Sequence, residues 1–148
     1  MNEIRFYCEA DENGYLSNYW PVDILIDGKI WRSTEHYYQA QKTIDPAFME
    51  KIRQAPTSDD AKKLGNSPAC QYRSDWENWK VEAMRTAITA KFTQHEDLKA
   101  QLLATGDSVL LEDSKTDYYW GIGADGSGKS MLGKMLMELR QTLRTQDK

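Results

Sequence analysis

Cysteine and histidine are scarce in this sequence. The 148 residues include two cysteines, Cys8 and Cys70, and two histidines, His36 and His95. No two of these four residues have the spacing of zinc ligands, and the isolated cysteines argue against a structural disulfide. We therefore predict chemistry that uses neither a metal ion nor an organic cofactor.

Long apolar runs and an excess of positive charge are also missing. The first residues, MNEIRFYCEADENG, are acidic and contain no segment typical of a signal peptide or a membrane helix. The net charge of −4 argues against a broad basic surface for long nucleic acid, although it leaves room for a local phosphate pocket. The length favours one domain, residues 1–148, and we expect a cytoplasmic protein with no membrane partner. The sequence does not indicate the oligomeric state.

The apolar pattern predicts a compact, helix-rich α+β fold with a small N-terminal β element. IRFYC, residues 4–8, is typical of a short strand, and VDILIDGKIW is typical of a hairpin that turns at Asp27 and Gly28. From Ser33 onward the pattern is mostly helical, and the longest helix is expected from about Asp75 to Phe92. SVLLE, near residue 110, is a further candidate strand.

A glycine-rich loop near the C-terminus matches a nucleotide-binding pattern. GADGSGKS, residues 123–130, fits G-x-x-x-x-G-K-[ST], and an amphipathic helix follows it. The upstream residues DYYWGI lack the apolar run of a buried strand, and too little chain follows Lys129 to complete a parallel sheet. A nucleotide triphosphatase is therefore disfavoured. A weaker prediction is that N–H groups of this loop hold a ligand phosphate at the start of the helix.

Four polar or aromatic residues of STEHYYQAQK share one face of the helix predicted there. Glu35, Tyr38, Gln39 and Lys42 follow at i, i+3, i+4 and i+7, which places a carboxylate, an amide and an amine in one stripe. The alternative interpretation is an ordinary solvated helix face. For Trp76, the alternative to a role in substrate binding is packing in the hydrophobic core.

Other polar residues have equally ordinary alternatives. Ser17 and Asn18, in LSNYWP, could only form turn hydrogen bonds, and Asp117, in TDYYWG, could be a turn residue.

Four segments together resemble a known family. LSNYWP, STEHYYQAQK, RSDWENWKVEAM and DYYWGIGADGSGKSMLG, in this order and over nearly the whole chain, resemble the YbiA-like or NADAR family of N-glycosidases. The resemblance implies a compact, helix-rich α+β fold and hydrolysis of the bond between ribose C1 and an amine nitrogen. It also implies a small-molecule substrate, either a ribosylamino-pyrimidine phosphate of early riboflavin synthesis or, in some branches, ADP-ribose on guanine of nucleic acid.

The resemblance also assigns roles to individual residues. The family has functional residues at the positions of Glu35, Trp76 and Asp117, and Lys42 closes the same helical motif as Glu35. We predict Glu35, Lys42 and Asp117 as the catalytic residues. The substrate-binding residues that we predict with the resemblance are Ser17, Asn18, Tyr38, Gln39, Trp76, Trp120, Gly126, Gly128 and Lys129. Two positions depart from the family pattern: Ile122 stands where many members have Asp, and Ser130 stands where Asn is usual. Both lie in the predicted ligand loop, so they bear on the identity of the substrate more than on the reaction class.

Two mechanisms fit these residues. A carboxylate, Glu35 or Asp117, could stabilise positive charge on the sugar while water attacks C1. Alternatively, a neutral Lys42 amine could attack the ring-opened imine and form a Schiff base, which requires burial to lower its pKa. A non-catalytic module that binds a nucleotide sugar is the rival function.

Overall fold

The computed structural model describes residues 2–146. Six α-helices and four short strands are present in this range, which confirms the helix-rich α+β class. The chain divides into two compact units, one formed by Asn18–Gln94 and one formed by the residues up to Ser17 and from His95 on. The extent of a single domain over 1–148 stays a prediction. None of the helices within residues 2–146 has the length and apolar character needed to cross a membrane.

The unit formed by Asn18–Gln94 begins with the predicted hairpin. Strands β2 (Ile24–Ile26) and β3 (Lys29–Trp31) pair antiparallel. Asp27 and Gly28 turn the chain with positive φ angles of 51° and 80°, as a two-residue turn requires.

Four helices complete this unit, and their starts follow the capping rules. They are α1 (Thr34–Ala40), α2 (Pro46–Arg53), α3 (Ser58–Gly65) and α4 (Trp76–Gln94). The side chains of Ser33, Asp45 and Thr57 each accept a hydrogen bond from an N–H group in the first turn of the next helix. Residues of the hairpin and all four helices share one core, which contains Ile24, Ile26, Trp31, Tyr37, Ala40, Ile52, Ala55, Ala61, Ala87 and Ala90.

The other unit contains the second two-stranded sheet. Strand β1 (Glu3–Phe6) pairs parallel with β4 (Val109–Glu112), the strand predicted from SVLLE. The helices of this unit are α5 (Glu96–Ala104) and α6 (Met131–Gln146). The N-terminal strand and the hairpin therefore belong to different two-stranded sheets. Sequence patterns show which segments are extended but not which strands pair, and this pairing joins residues about 100 positions apart.

Candidate active site

The start of α1 fixes the position of Glu35. The backbone N–H of Glu35 donates a hydrogen bond to the carbonyl oxygen of Asn18 at 3.1 Å. The Glu35 side chain is only 6% exposed, and its Oε2 accepts a bond of 3.4 Å from Gln39 Nε2. Asn18 is buried as well, with its Nδ2 3.4 Å from the sulfur of Met84. Glu35 is thus positioned by two hydrogen bonds, one made by its backbone N–H and one made by its buried carboxylate.

His36 has a structural role at the same helix start. Its Nδ1 lies 2.6 Å from Ser33 Oγ, and its Nε2 lies 3.0 Å from the carbonyl oxygen of Ala55. Burial lowers the pKa of His36, which favours a neutral ring whose Nε2–H donates to Ala55 and whose Nδ1 accepts from Ser33. This arrangement ties the start of α1 to the segment that follows α2.

Lys42 lies just beyond the helix rather than within it. Helix α1 ends at Ala40, so the predicted stripe is helical only as far as Gln39. One further turn, in which the Lys42 N–H donates to the Gln39 carbonyl oxygen at 3.2 Å, still keeps Lys42 close to Glu35. The Lys42 side chain is 6% exposed, and its Nζ donates to Asn66 Oδ1 at 2.9 Å.

The surroundings of Lys42 change its pKa. Burial is the largest influence and lowers the pKa of the amine below its usual range, while the Glu35 carboxylate opposes the effect. An amine with a lowered pKa is a better nucleophile near neutral pH than an exposed lysine.

Two tyrosine rings lie beside this amine, and a tryptophan packs against both of them. Lys42 Nζ lies 5.9 Å from the centre of the Tyr38 ring and 5.4 Å from that of Tyr72. Trp76 packs edge-on against both tyrosines, with ring centres 5.2 Å and 6.3 Å away. Tyr38 and Trp76 are buried, whereas Tyr72 is half exposed. The cluster therefore presents one tyrosine ring to solvent beside a buried amine.

Sequence reasoning missed two members of this cluster. Asn66 and Tyr72 lie in NSPACQYRSD, a segment without helical or strand periodicity. The only signal for Tyr72 is its place directly before the RSDWENW motif, and nothing in the sequence singles out Asn66.

The Asp117 side chain makes the hydrogen bonds of a turn residue, which was the alternative to a catalytic role. Its Oδ1 accepts hydrogen bonds from the N–H groups of Tyr119 and Trp120, at 2.9 and 2.8 Å. Trp120 is buried, and its ring packs edge-on against Tyr119 at 4.9 Å. A catalytic role for Asp117 and a binding role for Trp120 stay predictions.

The glycine loop does not form the predicted phosphate nest. The N–H groups of Gly128, Lys129 and Ser130 donate to backbone carbonyls of Ile122, Tyr118 and Gly121, at 2.6, 2.8 and 2.9 Å. The next two N–H groups, at the start of α6, are engaged in the same way. The prediction that these N–H groups bind phosphate is therefore wrong, because they already have partners.

Two of the predicted substrate contacts in this loop are exposed to solvent. Lys129 is exposed, with its Nζ 5.6 Å from the centre of the Tyr119 ring. Gly126 is exposed and has a positive φ of 81°. Lys129, Gly126 and Gly128 stay predicted substrate contacts, with the lysine side chain as the group that could meet a phosphate.

The predicted site residues fall into the two units of the chain. One unit brings together Asn18, Glu35, Tyr38, Gln39, Lys42 and Trp76. The other contains Ser17, which ends a 3₁₀ turn with its N–H bonded to the Gly14 carbonyl oxygen, and Asp117, Trp120, Gly126, Gly128 and Lys129. In the described range, 2–146, no three His, Cys, Asp or Glu side chains are grouped in a way that could hold a metal ion.

Comparison with known proteins identifies the family. The chain is 44% identical to N-glycosidase YbiA of Escherichia coli over 140 residues, which cover 95% of this chain and 88% of that protein. It is 42% identical to a riboflavin biosynthesis protein of Vibrio vulnificus, over 97% of this chain and 39% of that longer protein. The NMR structure of E. coli YbiA has the same fold, with a TM-score of 0.90, 42% identity, and coverage of 99% of this chain and 87% of that one. The profile of the NADAR domain matches residues 5–144, and the chain belongs to the NADAR domain family.

Proposed function

We propose that Glu35 and Lys42 are the catalytic pair of an N-glycosidase that separates ribose from an exocyclic amine of a heterocycle. The observation that supports this most directly is the burial of a carboxylate and an amine in one aromatic cluster, with the pKa of the amine lowered. Buried ionisable groups of opposite charge in such a cluster are typical of catalytic sites.

The reaction class rests on the relatives. Proteins with this family's domain that cover nearly all of the chain are named N-glycosidases, at 42 to 44% identity. The chain is accordingly a hydrolase that acts on N-glycosyl bonds. The amine on C1 then provides the chemistry, because its lone pair can open the ribose ring and leave an imine between C1 and nitrogen.

Lys42 acts on that imine as the nucleophile. Its neutral Nζ adds to C1, the C1–N bond to the heterocycle breaks, and the heterocyclic amine leaves with a proton. Water then adds to the C1 of the Lys42 imine, the C1–Nζ bond breaks, and the open-chain sugar is released. Glu35 transfers the protons, since a carboxylate near Lys42 can accept and return them. Direct attack by water, assisted by Glu35 or by Asp117, is the alternative mechanism.

The substrate that we propose is a ribosylamino-pyrimidine phosphate. The relative from Vibrio vulnificus is named a riboflavin biosynthesis protein, and that pathway contains such an amine. The half-exposed Tyr72 ring beside Lys42 suits a flat pyrimidine. ADP-ribose on guanine of nucleic acid is the competing substrate and stays a prediction, as does a location in the cytoplasm.

Turnover with matched substrates tests the proposal. The protein is incubated with a ribosylamino-pyrimidine 5′-phosphate and, separately, with DNA that carries ADP-ribosylated guanine, and free amine and free sugar are quantified. We expect release from the first substrate, and Glu35→Gln should lower kcat by at least about 10²-fold, because it removes one electrostatic and proton-transfer contribution. Glu138→Gln, an exposed glutamate of α6, is the control and should keep full activity. Binding of both substrates without any release of product would instead favour a non-catalytic binding module.

A further inference from the structure

The C-terminal end of α3 contacts the residues on which the proposed catalytic pair depends. Gly65 is the last residue of this helix and packs against the Gln39 amide, which bonds to Glu35. Asn66 is the residue that caps the helix, and it bonds to Lys42. We propose that Gly65 and Asn66 are positioning residues that set the geometry of the Glu35 carboxylate and the Lys42 amine, an inference that rests on the proposed function.

Gly65 is required for space rather than for its backbone conformation. It does not have a positive φ angle, so its helical backbone would accept alanine, which also has the higher helix propensity. A Cβ at this position, however, would collide with Gln39 Oε1 and lie 2.9 Å from Gln39 Cδ and 3.1 Å from Gln39 Cβ. The absence of a side chain at Gly65 therefore lets the Gln39 side chain pack directly against the end of α3.

The Gln39 amide has little freedom to move elsewhere. The side chain is 3% exposed, and its Nε2 points at Glu35. Its Oε1 is buried and has no hydrogen-bond partner among residues 2–146, and it faces the Cα of Gly65. A displaced amide would therefore lose the bond to Glu35, and the carboxylate would lose one of the groups that orient it.

Asn66 acts on Lys42 directly. Its Oδ1 accepts the hydrogen bond from Lys42 Nζ at 2.9 Å, whereas the rest of the Asn66 side chain is exposed. Its backbone N–H donates to the Lys62 carbonyl oxygen at 3.0 Å, so the helix end fixes the position of the side chain. A neutral acceptor orients the amine without the strong preference for the ammonium form that a carboxylate would impose.

A double-mutant cycle tests the role of Gly65. With a ribosylamino-pyrimidine 5′-phosphate, Gly65→Ala should lower kcat by about 10- to 100-fold and leave KM within about twofold, because it misplaces a group at the reacting carbon. Gln39→Ala should also lower kcat. In the Gln39→Ala background, Gly65→Ala should have no further effect on kcat, since the group that it displaces is gone. Additive effects on kcat would contradict the role of Gly65.

A titration of Lys42 tests the role of Asn66 without substrate. The ε-carbon signal of Lys42, assigned by its loss in Lys42→Arg, reports the pKa in protein labelled with ¹³C-lysine. Asn66→Asp should raise this pKa by at least about one unit through the new carboxylate, and Asn66→Ala should lower it by removing an acceptor from the ammonium form. The other groups that act on Lys42, and that the variants leave in place, are Glu35, Cys70, Lys62, Tyr38 and Tyr72.

The two results separate the inference from the function on which it rests. The acid limb of the kcat profile should move with the measured Lys42 pKa, upward for Asn66→Asp and downward for Asn66→Ala. An unchanged Lys42 titration in an enzyme with normal turnover would overturn the inference alone. If the wild-type protein released no amine from the substrate, the proposed function would fail, and the positioning roles would fail with it.

Discussion

Gln94 and Leu25 form a closed pair of hydrogen bonds at the edge of the hairpin. The Leu25 N–H donates to Gln94 Oε1 at 2.8 Å, and Gln94 Nε2 donates to the Leu25 carbonyl oxygen at 2.8 Å. The side-chain amide thus occupies the place of a neighbouring strand beside β2. Such cover matters because an unpaired strand edge is a template for association with other chains.

We expect Gln94→Ala to lower the free energy of unfolding by about 1 kcal/mol, the size of exposed hydrogen bonds to the backbone. Urea unfolding measures this change, and light scattering reports any association through the open edge. Gln94→Glu should be intermediate, because it keeps the acceptor for the Leu25 N–H but loses the donor. Gln101→Ala, at an exposed glutamine of α5, is the control for the change in helix propensity. Equal stability of the two alanine variants would show that the Gln94 pair contributes nothing.

Local signals in the sequence predicted most of the elements. Asp45 with Pro46 marked the start of α2, and Asp27 with Gly28 marked the hairpin turn, because capping and positive φ angles are encoded by neighbouring residues. The pairing of β1 with β4 was not predicted, since it depends on contacts between distant parts of the chain.

Prediction of the site from the sequence was limited in the same way as prediction of the fold. The spacing of Glu35, Gln39 and Lys42 was enough to predict that they share one cluster, even though α1 ends before Lys42. The bond between Asn66 and Lys42, by contrast, joins residues 24 positions apart, and no periodicity encodes it. The glycine loop was misjudged in one respect, because the motif shows where N–H groups occur but not which carbonyl oxygens already bind them.

A second lysine should make stability depend on pH. Lys91, in α4, is 1% exposed, and burial lowers its pKa to about 7. The unfolded chain keeps this proton up to a pH of about 10.4, so between about pH 7 and 10 the unfolded state binds more protons than the folded state. The free energy of unfolding should therefore gain up to about 1.4 kcal/mol per pH unit from Lys91 across this window.

Urea unfolding of Lys91→Met at pH 6, 7.5 and 9 measures that contribution. The stability of the variant relative to the wild type should be highest at pH 6 and should fall as the pH rises. Lys134→Met, at an exposed lysine of α6, should differ from the wild type by the same free energy of unfolding at all three pH values. If the free energy of unfolding of Lys91→Met also differed from that of the wild type by a constant amount, burial would not lower the pKa of Lys91 in the folded protein.

Lys42 should form a covalent intermediate with the sugar. Its buried amine is close enough to the Glu35 carboxylate for each to affect the charge of the other, and its lowered pKa leaves more of it neutral as the pH rises. With a ribosylamino-pyrimidine 5′-phosphate present, sodium borohydride should reduce the Lys42 imine and add the mass of a ribose phosphate to the peptide that contains Lys42. The yield of adduct at early times should rise with pH through the pKa of Lys42.

Lys42→Arg keeps a positive charge but cannot form the imine, so it should be inactive and untrapped. Lys63→Arg, at an exposed lysine of α3 that pairs with Asp59, is the matched control and should be trapped like the wild type. Normal turnover by Lys42→Arg, with no adduct on the wild type, would exclude the lysine route and leave direct attack by water, assisted by Glu35 or Asp117.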